Sequence, residues 1–333
     1  MSYRLAYRRY RLPFARAVRT AHGPWREREG LVVRLTDAPG RSGFGEVAPL
    51  PWFGTETLAE AEAVLAGLGD AVDAAAVESI QERHGCVRFA LASALNLDSS
   101  GPAVAPRLPV AALLPAGRDA LAAARRAREA GYLVFKWKIG VGDAADERAM
   151  LDDLLALLPE PAMLRLDANG VWTARQAARW LERCAERPIE FVEQPVAPDN
   201  ADALSGLAAD YPTTLALDES VTGLASLRTW LERKWPGVVV VKPALAGPPE
   251  EVLAVLAEHR ADAVFSSAFE TAVGRQAALR TAFRYQGPRP RALGFGVTPL
   301  FADRRFDGLP AAPSISWDDV EAMNPEAVWN ALS

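Results

Sequence analysis

The chain has 333 residues, half of them apolar and about a quarter charged, enough for one large α/β barrel or two ordinary domains with a substantial core. A formal net charge of −5 leaves no basic excess for nucleic acid or an anionic membrane, and no apolar run reaches the roughly 18 residues that span a bilayer. Cys86 and Cys184 lack metal-ligand spacing and read as buried thiols in a reducing cytoplasm.

The first 26 residues hold several arginines and no acid. Tyr3, Leu5 and Tyr7, then Tyr10, Leu12 and Phe14, alternate with polar residues, so the segment reads as a first β-strand rather than a targeting peptide. Residues 30–35 (GLVVRL) and 43–48 (GFGEVA) flank the turn-rich DAPGRSG and predict a hairpin. Helical periodicity follows over 58–68 and 87–97, and SSGPAVAPRLP at 99–109 carries the Pro and Gly of a linker.

Beyond it a rhythm sets in. Short apolar runs recur at 108–114, 133–139, 163–168, 190–194, 215–219, 238–243, 263–267 and 292–296, most of them separated by helical stretches such as 117–130 and 173–186. Alternating strand and helix implies parallel strands with crossover helices, and eight strands at this spacing imply a closed barrel. A helix is expected at 316–332, returning to the first unit.

The polar residues fall in register with that rhythm. Lys138, Asp167, Glu193, Asp218, Lys242 and Ser266 stand near the C-terminal ends of successive strands, at gaps of 29, 26, 25, 24 and 24 residues. Each strand therefore delivers one functional group to the rim where barrel enzymes keep their chemistry. Asp167, Glu193 and Asp218 come from neighbouring strands, and three clustered carboxylates repel unless a cation holds them. An all-oxygen set with room for water and substrate oxygens suits a hard divalent cation, Mg²⁺ foremost.

FKWKIG at 135–140 places Lys136 and Lys138 on one strand face, about 7 Å apart along the chain, with Lys242 across the mouth. A small-molecule carboxylate bound at the metal would have amines on both sides of its α-carbon. A lysine acting as a base near neutral pH must lose about 2 to 3 units from its solution pKa, which a neighbouring like charge and desolvation supply. The metal and the remaining ammonium groups would then stabilise the enediolate left by proton loss.

FKWKIG, LRLDANG, FVEQP, LALDES and VVVKP together resemble the muconate-lactonising branch of the enolase superfamily. The resemblance covers nearly the whole chain and implies α/β architecture: a modified (β/α)8-type, TIM-like barrel over 101–300, an N-terminal α+β capping domain over 1–100, and a segment over 301–333 returning to the cap. Within the branch, SSAFETAVG at 266–274 and LGFG at 293–296 are similar to the o-succinylbenzoate synthases of menaquinone biosynthesis. The Asp-x-Asp that dipeptide epimerases carry near the last strand is missing from RALGFGVTP, and SSAFE departs from the Gly-rich, Met-containing seventh strand of N-succinylamino acid racemases.

That resemblance implies syn dehydration of 2-succinyl-6-hydroxy-2,4-cyclohexadiene-1-carboxylate. Lys138 would remove the α-proton and then protonate the leaving hydroxide, Lys242 would stabilise charge from the opposite face, and Lys136 would hold the substrate carboxylate. Arg165 faces into the barrel, towards a carboxylate of the barrel or a substrate anion. Ser266, Ser267 and Gly294 are expected on the succinyl carboxylate, and Asn169 beside the metal-binding carboxylates rather than on the metal. Loops at 19–29 (RTAHGPWRERE) and 49–56 (PLPWFGTE) would close over the site, with Trp52 and Phe53 shaping the pocket and WREREG a solvated turn. Two other readings use the same residues: racemisation or epimerisation by Lys138 and Lys242 on opposite faces, and a non-catalytic barrel that binds a small acid.

Overall fold

A computed structural model describes residues 2–20, 23–96, 107–297 and 299–332. The chain begins with an antiparallel sheet of β1 (Tyr3–Thr20), β2 (Gly23–Thr36), β3 (Ser42–Val47) and β4 (Ala71–Val72), ordered β3-β2-β1-β4. Helices Leu58–Leu68 and Gly85–Leu95 complete this unit, the second packing across β2 and β3. Gly45 permits that packing, since a Cβ there would stand 1.9 Å from the Ala90 carbonyl oxygen.

The expected loop at 19–29 is instead the end of a long hairpin. β2 begins at Gly23, and WRERE is strand, with Arg11 on Glu27 at 2.7 Å across the pair and Arg28 only 2% exposed. A run of alternating charges looks like solvent-facing turn, but one of its faces is buried here against loop carbonyls. Residues 21–22 and 97–106 lie outside the described residues, so most of the expected linker does too.

β5 (Arg107–Pro109) pairs with the late β13 (Ser314–Ser316), tying the segment that leads into the barrel to the one that follows it. Between them run β6 (Ala112–Leu114), β7 (Val134–Lys138), β8 (Met163–Asp167), β9 (Ile189–Glu193), β10 (Leu215–Leu217), β11 (Val238–Val241) and β12 (Asp262–Phe265). They form one parallel sheet of seven strands in sequential order, with a helix after each. Capping boxes start several helices where the pattern turns helical; Thr173 and Gln176, for example, satisfy each other's backbone N–H at the head of Ala174–Cys184. Phe191, Ala216, Val238, Val240 and Val264 fill the barrel interior.

The expected eighth strand at 292–296 contracts to two residues. Leu293 bridges to Val110 and Gly294 to Ser266, so the N–H and C=O groups of both close the gap between β12 and β6. The architecture is thus a modified TIM-like barrel beneath an N-terminal antiparallel sheet. The expected helix at 316–332 is two, Trp317–Glu321 and Pro325–Ala331, because Pro325 cannot donate into a preceding turn and starts a new helix capped by Asn324. Trp329 of the last helix lies between Arg8 and Arg34 of the N-terminal sheet, whose guanidinium carbons are 4.4 and 4.7 Å from its ring.

Candidate active site

Register decides which side chains share the barrel mouth. Lys136 pairs with Arg165, Lys138 with Asp167, Asp167 with Glu193, and Glu193 with Ala216, two residues before Asp218. Ala216 in turn pairs with Val238, four residues before Lys242. Paired residues point to one side of a sheet, so all of these line the interior. The lysine-bearing β7 and β11 flank the three strands that carry the carboxylates.

Lys136 Nζ stands 2.6 Å from Glu193 Oε1 and 2.9 Å from Asp167 Oδ2, and Lys242 Nζ donates to Asp218 Oδ1. The acids thus share one face, divided between two ammonium groups that neutralise them. Burial, then the charge of Asp167, pushes the Glu193 carboxyl up to about 8, with Asp218 adding to the effect and Lys136 opposing it. Burial alone works against a charged Lys136, yet Asp167, Glu193 and Asp218 outweigh it and hold this ammonium firmly protonated.

Three residues below Glu193 on the same strand, the barrel floor shows the opposite arrangement. The β8–β9 register jumps from Leu164↔Ile189 to Arg165↔Phe191, so Glu190 is an extra residue in the strand. It accepts from Arg165 Nε at 2.6 Å and from Arg291 Nη1 at 2.6 Å, while Arg291 also grips Asp262 at 2.6 Å. Burial acts to raise Glu190, but Arg165 and Arg291 outweigh it and hold the carboxyl below its ordinary value. Of the two partners open to Arg165, the barrel carboxylate is the one it meets; its guanidinium is 1% exposed and lies 4.8 Å over the Phe191 ring.

Ser266 sits at the closing bridge and donates to the Gly294 carbonyl at 3.2 Å. The Ser267 hydroxyl differs from expectation: it donates to Glu270 at 2.8 Å and is buried, because the tight loop after β12 turns it into the protein. Asn169 donates through its backbone to Asp167 at 3.2 Å and through its side chain to Glu219 at 3.0 Å.

Several neighbours escaped the sequence reading. Glu219 is pushed up to about 7 by burial and by the charges of Asp218 and Asp167; the doubled acid of LALDES was its only signal. The Gln194 side-chain oxygen accepts from the backbone N–H of Asp218 and Ser220 at 3.1 Å each, so the residue after one carboxylate steadies the loop of the next. Leu113, 46% exposed, pairs in register with Lys136 and puts an apolar wall inside the mouth. Trp52 and Phe53 divide their roles: the Phe53 ring centroid lies 4.3 Å from Lys242 Nζ, whereas Trp52 packs edge-on against Trp25 at 4.9 Å.

The donor set fits a hard divalent ion. Asp167, Glu193 and Asp218 bring carboxylate oxygens without His or Cys, and two buried oxygens beside them, Asn169 Oδ1 and Glu219 Oε2, have no hydrogen-bond partner. With the lysines drawn onto the acids, no three His, Cys, Asp or Glu side chains among the described residues converge on a single point.

Comparison with known proteins follows the same division of the chain. Residues 3–97 match the family described as MenC, N-terminal domain, and residues 119–308 the family described as Enolase C-terminal domain-like. The o-succinylbenzoate synthase of Thermosynechococcus vestitus is 40% identical over 88% of this chain and 92% of its own length. That of Edwardsiella ictaluri is 34% identical over 93% and 95%. The crystal structure of o-succinylbenzoate synthase from Thermosynechococcus elongatus, complexed with Mg in the active site, superposes with a TM-score of 0.84 at 36% identity, covering 98% of this chain and 99% of that one. The L-Ala-D/L-Glu epimerase of Bacillus subtilis shares the fold, with a TM-score of 0.81 at 21% identity over 94% and 95% of the two chains.

Proposed function

The chain belongs to the o-succinylbenzoate synthases of the enolase superfamily, and from that membership we infer how its barrel mouth performs the reaction. The protein is a lyase that dehydrates 2-succinyl-6-hydroxy-2,4-cyclohexadiene-1-carboxylate to o-succinylbenzoate, a step towards menaquinone. What supports the residue roles is the order of the sheet, with the lysines of β7 and β11 on either side of the carboxylates of β8, β9 and β10.

Asp167, Glu193 and Asp218 are the residues that would hold Mg²⁺. A divalent ion there supplies positive charge to the substrate carboxylate and makes the α-proton more acidic. An ion held there would neutralise the acids in place of the lysines, so that Lys136 and Lys242, which pair with those acids, would be left to face the substrate. Lys138 Nζ takes the proton from the α-carbon, and the C–H electron pair delocalises into the carboxylate as an enediolate. That pair then returns to form the ring double bond while the C–O bond breaks. The departing hydroxide collects the proton from the Lys138 ammonium and leaves as water. One amine serves both halves only when proton and hydroxide leave from the same face, so the elimination is syn.

Lys242, with the Phe53 ring at its side, faces the other side of the substrate as a fixed cation and moves no proton. Lys136 turns from the acids to the substrate carboxylate. Ser266, beside Gly294 at the closing bridge, receives the succinyl carboxylate, and Leu113 backs the ring.

The test is turnover of the cyclohexadiene followed by ultraviolet absorbance with Mg²⁺ and again with excess chelator. Rapid metal-dependent loss of the diene is expected. A folded, Mg²⁺-supplied protein that leaves the diene intact but exchanges the α-hydrogen of N-succinylamino acids would overturn the assignment in favour of racemisation.

A further inference from the structure

We propose that Glu147 is a positioning residue for Lys138, an inference that rests on the reading of Lys138 as the base. Lys138 ends β7; a last ladder bond runs from Ile139 N to the Asp167 carbonyl at 2.9 Å, and the chain then turns away at Gly140 with φ of 77°. The next three N–H groups all meet one carboxylate. Gly140 N donates to Glu147 Oε2 at 2.9 Å, and Val141 N and Gly142 N donate to Oε1 at 3.0 Å each.

Glu147 itself is held from both sides. It lies 4% exposed in the first turn of helix Ala144–Leu157, whose start is capped by Asp143 and whose Met150, Leu151 and Leu154 are buried in the core. Across the loop, a Cβ at Gly140 would stand 2.6 Å from Val171 Cγ2 and 3.1 Å from Trp172 Nε1, so the turn is pressed against the segment that follows Asp167. Successive backbone N–H groups converging on one anion make a rigid concave turn. Here the anion belongs to the protein, and the strand end it fixes carries the amine.

The consequence is catalytic because a lysine side chain is long and flexible. Where its Nζ meets the α-carbon depends on where its backbone is pinned, and a misplacement of about 1 Å lowers the rate of proton transfer about 100-fold. In Glu147→Gln the amide turns an N–H towards the backbone N–H groups that the carboxylate received, and the loop must shift.

The experiment compares the parent, Glu147→Gln, Glu147→Asp and Lys138→Ala in the full chain with Mg²⁺, using substrate and substrate deuterated at the α-carbon. Glu147→Gln is expected to lower kcat about 10- to 100-fold, leave KM within about twofold, and raise the deuterium isotope effect on kcat as proton removal becomes slower than the other steps. Glu147→Asp keeps the charge on a shorter arm and should shift the same readouts by less, which serves should the Gln variant fold poorly. A Gln variant whose melting temperature falls while kcat and the isotope effect stay parental would overturn the proposal, leaving Glu147 a structural residue only. Parental turnover in Lys138→Ala would overturn the reading of the base instead, and so separates the two failures.

Discussion

Glu193 and Glu190 stand three residues apart on one strand, the first buried and the second partly buried, and the protein treats them in opposite ways. At the mouth, Glu193 faces two other carboxylates and is pushed up to about 8. On the floor, Glu190 sits between Arg165 and Arg291 and is held below its ordinary value. The floor is an ion-pair network of Glu190 and Asp262 with Arg165 and Arg291, set where Arg291 precedes the two-residue closure of the barrel. The mouth gathers three carboxylates against two lysines from flanking strands, and that concentration of titratable charge suits it to binding a metal and a carboxylate substrate. The difference shows that residue type on a barrel strand says little about its task; the partners do.

The largest effect expected at the mouth is that of Lys138→Ala, which should lower kcat by about 10³- to 10⁴-fold in a steady-state turnover assay, with unfolding unchanged. The paired substitutions Glu190→Gln and Glu193→Gln sharpen the contrast. Urea unfolding should show Glu190→Gln destabilised by about 3 kcal/mol, because the buried Arg165 guanidinium loses its anion and Arg291 keeps only Asp262, while kcat stays within about twofold. Glu193→Gln should do the reverse, abolishing Mg²⁺-dependent turnover with little loss of stability. Equal stability losses in the two variants would erase the distinction.

Lys242 comes next. Its Ala variant should lose about 100-fold in kcat and its Arg variant about tenfold, since a fixed cation rather than a movable proton is needed there. If both are equally dead and the parent racemises N-succinylamino acids, the non-proton role is wrong.

The two glutamates also predict opposite pH slopes. Glu190, lowered in the fold, contributes stability that is present above its unfolded value near 4.5 and is lost as pH falls through the folded value. Glu193, raised in the fold, contributes stability that is full below about 4.5 and fades as pH rises through about 8 when chelator is present. Unfolding across pH should therefore lose its acid limb in Glu190→Gln and its alkaline decline in Glu193→Gln. The smallest effect is that of Phe53→Ala, which removes the ring beside Lys242 and should lower kcat/KM by about threefold to tenfold, matching about 1 kcal/mol of cation–π stabilisation.

Much of this was legible without a structure. Helix 58–68, the hairpin around DAPGRSG, the parallel strands and the facing of Lys136, Lys138, Asp167, Glu193, Asp218 and Lys242 all follow from local periodicity, because alternation along a strand is a property of neighbours in the chain. What periodicity cannot carry is an exception to itself. The extra residue at Glu190 breaks the alternation, and only the pairing of β8 with β9 reveals it. WRERE became strand because its partner strand and the loop carbonyls around Arg28 buried one face of it.

By itself, then, the sequence determined the barrel rhythm, the carboxylate and lysine sets, and a family resemblance strong enough to carry the activity. The tertiary structure alone decided that Arg165 serves the floor, that Ser267 turns inward to Glu270, that Phe53 reaches Lys242 from 189 residues away in the chain, and that Glu147 gathers the turn after Lys138. The physical reason is the same in each case. A side chain's orientation follows from its own strand or helix, but its charge state and its partner follow from whichever distant segments the packed core brings beside it.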